Sequence, residues 1–192
     1  MKHYTTPDNL RLDSFKLGEK IIKDKFKPDY LIALWRGGAT IGCYIHEILK
    51  YVYEPEGHKV DHISIRTSRY IGIDTTLPKI EVHNLGYLVE RLTPESKVLI
   101  VDDVYDSGLS MAAVLTKLER KLGNQMPNNI KIATINYKPA RNKTDRIPDY
   151  YVNISDKWEI YPHELEGLNI KEISNYFGTE IADIISSCVN TH

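Results

Sequence analysis

The sequence predicts an α/β fold with an open, mainly parallel sheet flanked by helices. Short apolar runs alternate along the chain with segments whose apolar residues recur at helical spacing. Strands that alternate with helices pair in parallel, and a sheet of this kind is covered on both faces. After Pro139 the alternation weakens, which indicates a small C-terminal subdomain beside the sheet.

The individual elements follow from the same two patterns. Strands are predicted where apolar residues run together, and helices where they recur at every third or fourth position. Thr67–Val82 shows neither pattern and is predicted to be a polar loop. The predicted strands are Tyr30–Trp35, Val60–Arg66, Lys97–Asp103, Ile130–Tyr137, Tyr150–Ile154 and Trp158–Tyr161, and the predicted helices are Asp13–Lys25, Ile41–Leu49, Met111–Leu122, Ile170–Phe177 and Glu180–Val189.

Length and composition indicate one domain over residues 1–192, with a core at about 28–140 and a C-terminal part at about 141–192. The formal net charge is −1, so no overall field favours nucleic acid or a membrane as a partner. Cys43 and Cys188 show no metal-binding spacing, which fits a reducing compartment. Because the sequence shows no signal-peptide core and no bilayer-spanning apolar run, we expect a cytoplasmic protein.

Two adjacent carboxylates end the clearest predicted strand. Asp102 and Asp103 come directly after an apolar run. In an open parallel sheet, ligands bind beyond the carboxyl ends of the strands. Adjacent carboxylates in that position suit a sugar diol, which donates hydrogen bonds, or a hard cation.

A turn of small residues follows the acidic pair and leads into the next predicted helix. Backbone N–H groups can approach an anion closely at such a turn, and the helix N-terminus adds a favourable dipole. Acidic residues beside a phosphate site fit a ribose 5-phosphate group. The alternative is a plain helix N-cap, where Asp and Ser are common. The turn consists of Asp106, Ser107, Gly108, Leu109 and Ser110.

A second candidate anion site follows the first predicted strand. Arg36, Gly37 and Gly38 come directly after Trp35. The glycines permit backbone N–H groups to approach a diphosphate, and the arginine supplies positive charge. The alternative is an ordinary strand-to-helix turn with an exposed arginine.

The stretch Val98–Met111, VLIVDDVYDSGLSM, resembles the diphosphate-ribose signature of type I phosphoribosyltransferases. The resemblance implies that Asp102 and Asp103 hold the ribose hydroxyls of phosphoribosyl diphosphate. The turn at residues 106–110 would then wrap the 5-phosphate. The same resemblance makes Asp106 a candidate proton acceptor near the imidazole edge of a purine.

Two further segments resemble loops of that family. The segment Arg36–Gly38 is similar to its diphosphate loop, and Thr67–Val82 falls where the family carries a mobile catalytic loop. Arg66, Arg69 and Lys79 each remain candidates to meet the diphosphate.

Lys138 and Trp158 are the candidate contacts to the base. A lysine at a strand end can donate to an exocyclic oxygen, which favours a 6-oxo base, and an aromatic ring can stack on a purine. A solvated lysine and a gap-filling tryptophan are the alternatives. The surrounding segments resemble the base-binding part of 6-oxopurine phosphoribosyltransferases, which implies contacts of Lys138 with O6, of Trp158 with the ring face, and of the backbone around Glu159 with the N2/O2 edge. His163 stands where that pattern has tryptophan.

The resemblance thus predicts an enzyme of purine salvage that transfers the ribose 5-phosphate group to hypoxanthine, guanine or xanthine. Asp106 and Arg36 are its expected catalytic residues, and Mg²⁺ its expected cofactor. The implied metal ligands are Asp102, Asp103 and Asp156.

The expected partners are phosphoribosyl diphosphate and a purine base, and the family implies a homodimer or homotetramer. Two alternatives remain open. One is a regulator of the same fold that senses phosphoribosyl diphosphate or a nucleotide. The other is a phosphoribosyltransferase for orotate, uracil or adenine.

Overall fold

The computed structural model describes residues 2–70 and 79–190. Contacts divide the chain into two compact units, Arg11–Asp156 in one and Met1–Leu10 with Lys157–His192 in the other. The strands in chain order are β1 (Lys2–Tyr4), β2 (Tyr30–Trp35), β3 (Asp61–Tyr70), β4 (Lys79–His83), β5 (Lys97–Tyr105), β6 (Asn129–Tyr137), β7 (Tyr150–Ile154) and β8 (Trp158–Ile160). The α-helices are α1 (Pro7–Lys23), α2 (Gly37–Tyr53), α3 (Gly86–Val89), α4 (Leu109–Leu122), α5 (Ile170–Phe177) and α6 (Thr179–Asn190).

The larger unit is built on a six-stranded sheet in the order β4-β3-β2-β5-β6-β7. Every neighbouring pair is parallel except β3 and β4, which are antiparallel. The predicted α/β fold with a mainly parallel sheet is therefore confirmed. Because β2, β5 and β6 are parallel neighbours, their carboxyl ends meet at the same edge of the sheet.

Helices cover both faces of the central strands. Alternate residues of a strand point to opposite faces. On one face, Ile32 and Ile100 are fully buried in a cluster that includes Val114 of α4. On the other face, Gly42 of α2 lies against Ala33, since a Cβ on this glycine would be 3.0 Å from the alanine Cβ.

The smaller unit contains a second, two-stranded sheet. In it β1 pairs in parallel with β8, with Lys2 opposite Trp158 and His3 opposite Glu159. The Nζ atom of Lys2 also lies 2.7 Å from Oε1 of Glu172 in α5.

The prediction of a polar loop over Thr67–Val82 was wrong at both ends of the segment. Its first residues continue β3 as far as Tyr70, and β4 begins at Lys79. These ends pair with each other as antiparallel strands, with Ser68 opposite Glu81. In this pair of strands at the sheet edge, polar side chains interrupt the apolar ones. The sequence therefore contains no apolar run that would indicate the strands. The rest of the predicted loop, residues 71–78, lies outside the described residues.

The first helix begins six residues before its predicted start, at Pro7 and not at Asp13. The Oγ1 atom of Thr6 accepts a hydrogen bond from the backbone N–H of Asn9 at 3.1 Å. A capping threonine followed by proline is a sequence signal for a helix N-terminus, so the true start was readable from the sequence.

No helix among residues 2–70 and 79–190 has the length and hydropathy needed to cross a membrane. Cys43 and Cys188 are both free thiols, and both are exposed.

A cluster of polar side chains ties the end of α1 to two strands of the sheet. One carboxylate oxygen of Asp24 accepts hydrogen bonds from Nζ of Lys131 in β6 and from the hydroxyl of Tyr150 in β7, each at 2.5 Å. The Lys131 ammonium also donates to the Tyr150 hydroxyl at 2.8 Å. The hydrogen bond from Lys131, followed by that from Tyr150, lowers the pKa of Asp24 below its ordinary value of 3.8.

We expect Asp24→Asn to lower the melting temperature by a few degrees at pH 7. The lowered pKa means that the Asp24 carboxylate stabilises the folded state above pH 3.8, and that this contribution is lost as the pH falls through the folded-state value. The deficit should therefore be smaller at pH 3 than at pH 7. Thermal unfolding followed by circular dichroism measures it, with Glu19→Gln as the control, because the exposed Glu19–Lys23 pair lies on the same helix. An equal deficit at both pH values would contradict the expectation.

Candidate active site

The two predicted anion loops meet at the carboxyl ends of β2 and β5. A Cβ placed on Gly37 would lie 2.0 Å from Oδ2 of Asp103, and a Cβ on Gly38 would lie 2.2 Å from the carbonyl oxygen of Val101. Gly38 has no room for a side chain because the obstacle is backbone, and a side chain at Gly37 would require the Asp103 carboxylate to move. The glycines thus allow the first turn of α2 to lie directly against the end of β5, which brings the Asp103 carboxylate to the helix N-terminus.

Arg36 precedes that first turn and is exposed. The peptide bond between Trp35 and Arg36 is cis. Because Arg36 follows β2, it lies beside Gly37 and Gly38 at the same sheet edge as the acidic pair. A guanidinium and the amide groups of a helix N-terminus both favour an anion.

The acidic pair carries an electrostatic cost. Burial of the carboxyl group and, second, the charge of Asp103 raise the pKa of Asp102 well above its ordinary value of 3.8. The backbone N–H groups of Asp103 and Gly38 oppose this shift because they donate to the Asp102 carboxylate. Such a pair is suited to a ligand that brings positive charge or hydroxyl donors.

The turn after β5 has the geometry of an anion cradle. Gly108 adopts a left-handed conformation with φ of 74°, and α4 begins at the next residue. The backbone N–H of Ala112 makes a helical bond to the Gly108 carbonyl. Of the N–H groups that precede it in the first turn, that of Leu109 donates to Oγ of Ser107 at 3.5 Å. The first-turn N–H groups have no acceptor inside the helix, which is the arrangement that binds anions at helix N-termini. Ser107 and Ser110 are half-buried on the same turn.

The loop after β6 packs onto this turn. A Cβ on Gly108 would be 2.6 Å from Oγ1 of Thr144 and 2.9 Å from Oδ1 of Asn142, so a side chain is excluded there as well. The backbone N–H of Lys143 donates to the Ser107 carbonyl at 3.0 Å. The turn therefore lies between the end of β5 and the loop after β6, whose sequence is mainly polar.

Asp106 lies between two cationic side chains. Its Oδ2 is 3.4 Å from Nζ of Lys138, the residue directly after β6, and its Oδ1 is 2.9 Å from Nε of Arg141. The Lys138 side chain is almost fully buried, whereas half of the Arg141 side chain is exposed. The structure thus brings together the predicted residues Asp106 and Lys138 and adds Arg141. Sequence reasoning had assigned no role to Arg141.

The other predicted base contacts, Trp158 and Glu159, belong to the smaller unit. Trp158 opens β8 and is 52% exposed. The Glu159 side chain is buried, and its Oε2 lies 2.6 Å from Nδ1 of His3. His163 stacks on the ring of Tyr161, with centroids 5.4 Å apart.

The residues predicted to hold Mg²⁺ are only partly grouped. Asp102 and Asp103 are adjacent, and Asp156 is exposed beyond β7. Across residues 2–70 and 79–190, no three His, Cys, Asp or Glu side chains form a group that could hold a metal ion. Mg²⁺ is commonly bound by one or two carboxylates together with substrate phosphates and water, and the Asp102–Asp103 pair fits that mode.

Among the basic candidates for the diphosphate, Arg66 lies on β3 opposite Trp35 in the sheet register and is exposed. The side chains of Arg69 and Lys79 lie outside the described part of the chain.

We expect Asp102→Asn to raise the melting temperature of the ligand-free protein at pH 8. A carboxyl group whose pKa is raised on folding destabilises the folded state once the pH exceeds the unfolded value of 3.8, and the asparagine removes that cost. The gain should be small near pH 4, where the group is largely protonated in the folded chain. Differential scanning calorimetry at both pH values measures it, with the exposed Asp145→Asn as the control. A lower melting temperature of Asp102→Asn than of the wild type at pH 8 would show that the ionised Asp102 does not destabilise the folded state.

The chain matches one protein family and several solved structures. The family model described as "Phosphoribosyl transferase domain" matches residues 10–166. A search of curated proteins found no match. Among solved structures, the purine phosphoribosyltransferase from Pyrococcus horikoshii is similar, with 29% sequence identity, a TM-score of 0.67, and coverage of 88% of this chain and 97% of that chain.

Two more distant structures share the fold. The Helicobacter pylori xanthine-guanine-hypoxanthine phosphoribosyltransferase is 18% identical, with a TM-score of 0.64 and coverage of 97% of this chain and 99% of that chain. A Neisseria gonorrhoeae hypothetical protein with bound ppGpp is 24% identical, with a TM-score of 0.69 and coverage of 92% and 95%. Because the family model spans more than half of the chain, this protein belongs to the phosphoribosyl transferase domain family, as the stretch Val98–Met111 predicts.

Proposed function

We propose that the protein is a Mg²⁺-dependent purine phosphoribosyltransferase that acts on 6-oxopurines in salvage, in the cytoplasm. The reaction joins a base to phosphoribosyl diphosphate and gives a nucleoside 5′-monophosphate and diphosphate. One observation carries the proposal. The ammonium of Lys138 and the carboxylate of Asp106 lie 3.4 Å apart beside the turn at residues 106–110.

This pair matches one edge of a 6-oxopurine. The O6 and N7 atoms lie side by side on that edge, so a base protonated at N7 offers an acceptor next to a donor. An ammonium donates only, and an ionised carboxylate accepts only. Lys138 would therefore bind O6 while Asp106 accepts the N7 proton. Adenine offers an amino donor in place of O6, and an ammonium has no acceptor for it.

The neighbouring residues fit the other half of the reaction. The turn at 106–110 suits the 5-phosphate, and the Asp102–Asp103 pair suits the ribose hydroxyls. Arg36 and the amides of Gly37 and Gly38 would neutralise the departing diphosphate as the bond from C1′ to its oxygen breaks. Mg²⁺, when bound, supplies further charge to the diphosphate.

A panel of bases tests the proposed substrate class. With phosphoribosyl diphosphate and Mg²⁺, we expect diphosphate release with at least one of hypoxanthine, guanine and xanthine. Adenine, orotate and uracil should give none, and removal of Mg²⁺ with a chelator should abolish release. Activity on adenine alone would refute the 6-oxopurine assignment. Tight binding of phosphoribosyl diphosphate or a nucleotide without turnover of any base would favour the regulator.

Asp106→Asn tests the proton acceptor. The amide keeps the size of the side chain but cannot take the N7 proton, so we expect kcat to fall by roughly 10²- to 10⁴-fold, the range for general acid–base groups. The melting temperature should change little, because the amide oxygen can still accept a hydrogen bond from the buried Lys138 ammonium. Steady-state kinetics with the preferred base measures the fall. Turnover close to that of the wild type would remove Asp106 from the mechanism.

A further inference from the structure

Each oxygen of the Asp106 carboxylate faces a different cation. Oδ1 is 2.9 Å from Nε of Arg141, within hydrogen-bond distance, and Oδ2 is 3.4 Å from Nζ of Lys138. In the proposed reaction Lys138 has a second partner, the O6 atom of the base. Arg141 has no such competing role, so its contact is the one that can persist when the base is bound.

The backbone of the loop after β6 positions Arg141 beside this carboxylate. Arg141 ends a short 3₁₀ turn, Pro139–Arg141, and its N–H donates to the Lys138 carbonyl at 3.1 Å. This segment is anchored on both sides. The N–H of Lys138 donates to the Tyr105 carbonyl at 3.0 Å, and the N–H of Lys143 donates to the Ser107 carbonyl at 3.0 Å. Both hydrogen bonds join the loop to a residue next to Asp106 in the sequence. The loop that carries Arg141 is therefore fixed relative to the backbone of Asp106.

We propose that Arg141 is a positioning residue for Asp106, an inference that rests on the proposed function. Arg141 holds Oδ1 and fixes the plane of the carboxylate, and Oδ2 is left to accept the N7 proton when Lys138 turns to O6. A charge-assisted hydrogen bond is shorter and stronger than a neutral one and has a fixed direction. Without it, the carboxylate can rotate, and of the two cationic side chains that contact it in the described part of the chain only Lys138 remains.

The contact is suited to orientation rather than to stability. Half of the Arg141 side chain is exposed, and exposed ion pairs contribute little to the stability of a fold. The geometry also depends on the guanidinium, because a lysine ammonium is a point charge without a directed Nε–H group. Arg141→Lys should therefore restore part of the effect but not all of it.

Steady-state kinetics on three variants tests the role of Arg141. We expect Arg141→Ala to lower kcat roughly 10- to 100-fold, as for loss of a hydrogen bond to a charged group. The KM for phosphoribosyl diphosphate and the melting temperature should stay close to those of the wild type. Lys143→Ala is the matched control, because it removes the same charge from the same loop and its side chain is exposed. Arg141→Lys should recover part of kcat.

The double variant Asp106→Asn with Arg141→Ala separates positioning from a general loss of structure. If Arg141 acts through Asp106, the second substitution has almost no further effect on kcat, since coupled residues are not additive. An unchanged kcat in Arg141→Ala would overturn the proposal. So would an equal loss of kcat in the wild-type and Asp106→Asn backgrounds, or an equal loss in Lys143→Ala.

A ligand-free measurement distinguishes failure of this inference from failure of the proposed function. In protein labelled with ¹³C at the aspartate carboxyl carbon, Arg141→Ala should shift the Asp106 signal, which is identified by its loss in Asp106→Asn. Lys143→Ala should leave it in place. If the signal shifts but the protein turns over no base, the Arg141–Asp106 contact is supported and the proposed function is refuted. No shift would refute the positioning role even in an active enzyme.

Discussion

The candidate site depends on how closely the start of α2 approaches the end of β5. At Gly38 a Cβ would lie 2.2 Å from the Val101 carbonyl, and at Gly37 it would collide with the Asp103 carboxylate. Only glycine lets these backbones meet. Their contact sets an arginine, the amides of a helix N-terminus and two carboxylates at one sheet edge. Asp102 and Asp103 are half-buried there, and the charge of Asp103 adds to burial in raising the pKa of Asp102.

The parts of the site that lie at or directly after the carboxyl ends of strands were predictable from the sequence. Asp102–Asp103 and Arg36–Gly38 stand immediately after apolar runs, and the order of a parallel sheet brings such positions to one edge. Gly108 was also informative. The sequence predicted a turn that leads into a helix there, and in the structure Gly108, with its positive φ, directly precedes α4. Lys138 could be placed at a strand end, although its burial against Asp106 depends on the loop that follows.

Features that depend on tertiary contacts could not be predicted in the same way. Arg141 was in a charged, polar segment, and only the anchors of that loop to Tyr105 and Ser107 show why it faces Asp106. The strand β1 has three residues and pairs with β8, which lies more than 150 positions away in the sequence. Periodicity carries no information on such pairing. By contrast, the start of α1 was missed although Thr6 and Pro7 signalled it.

The electrostatic cost at Asp102 has a consequence for the lifetime of the protein in the cell. A ligand that binds only the folded chain stabilises it by mass action, and the stabilisation grows with ligand concentration. A cation or a hydroxylated sugar phosphate that relieves the Asp102–Asp103 repulsion would act in this way. Unfolded chains are the species that proteases remove. The steady-state amount of the protein would then rise and fall with the concentration of such a ligand, with no separate regulator.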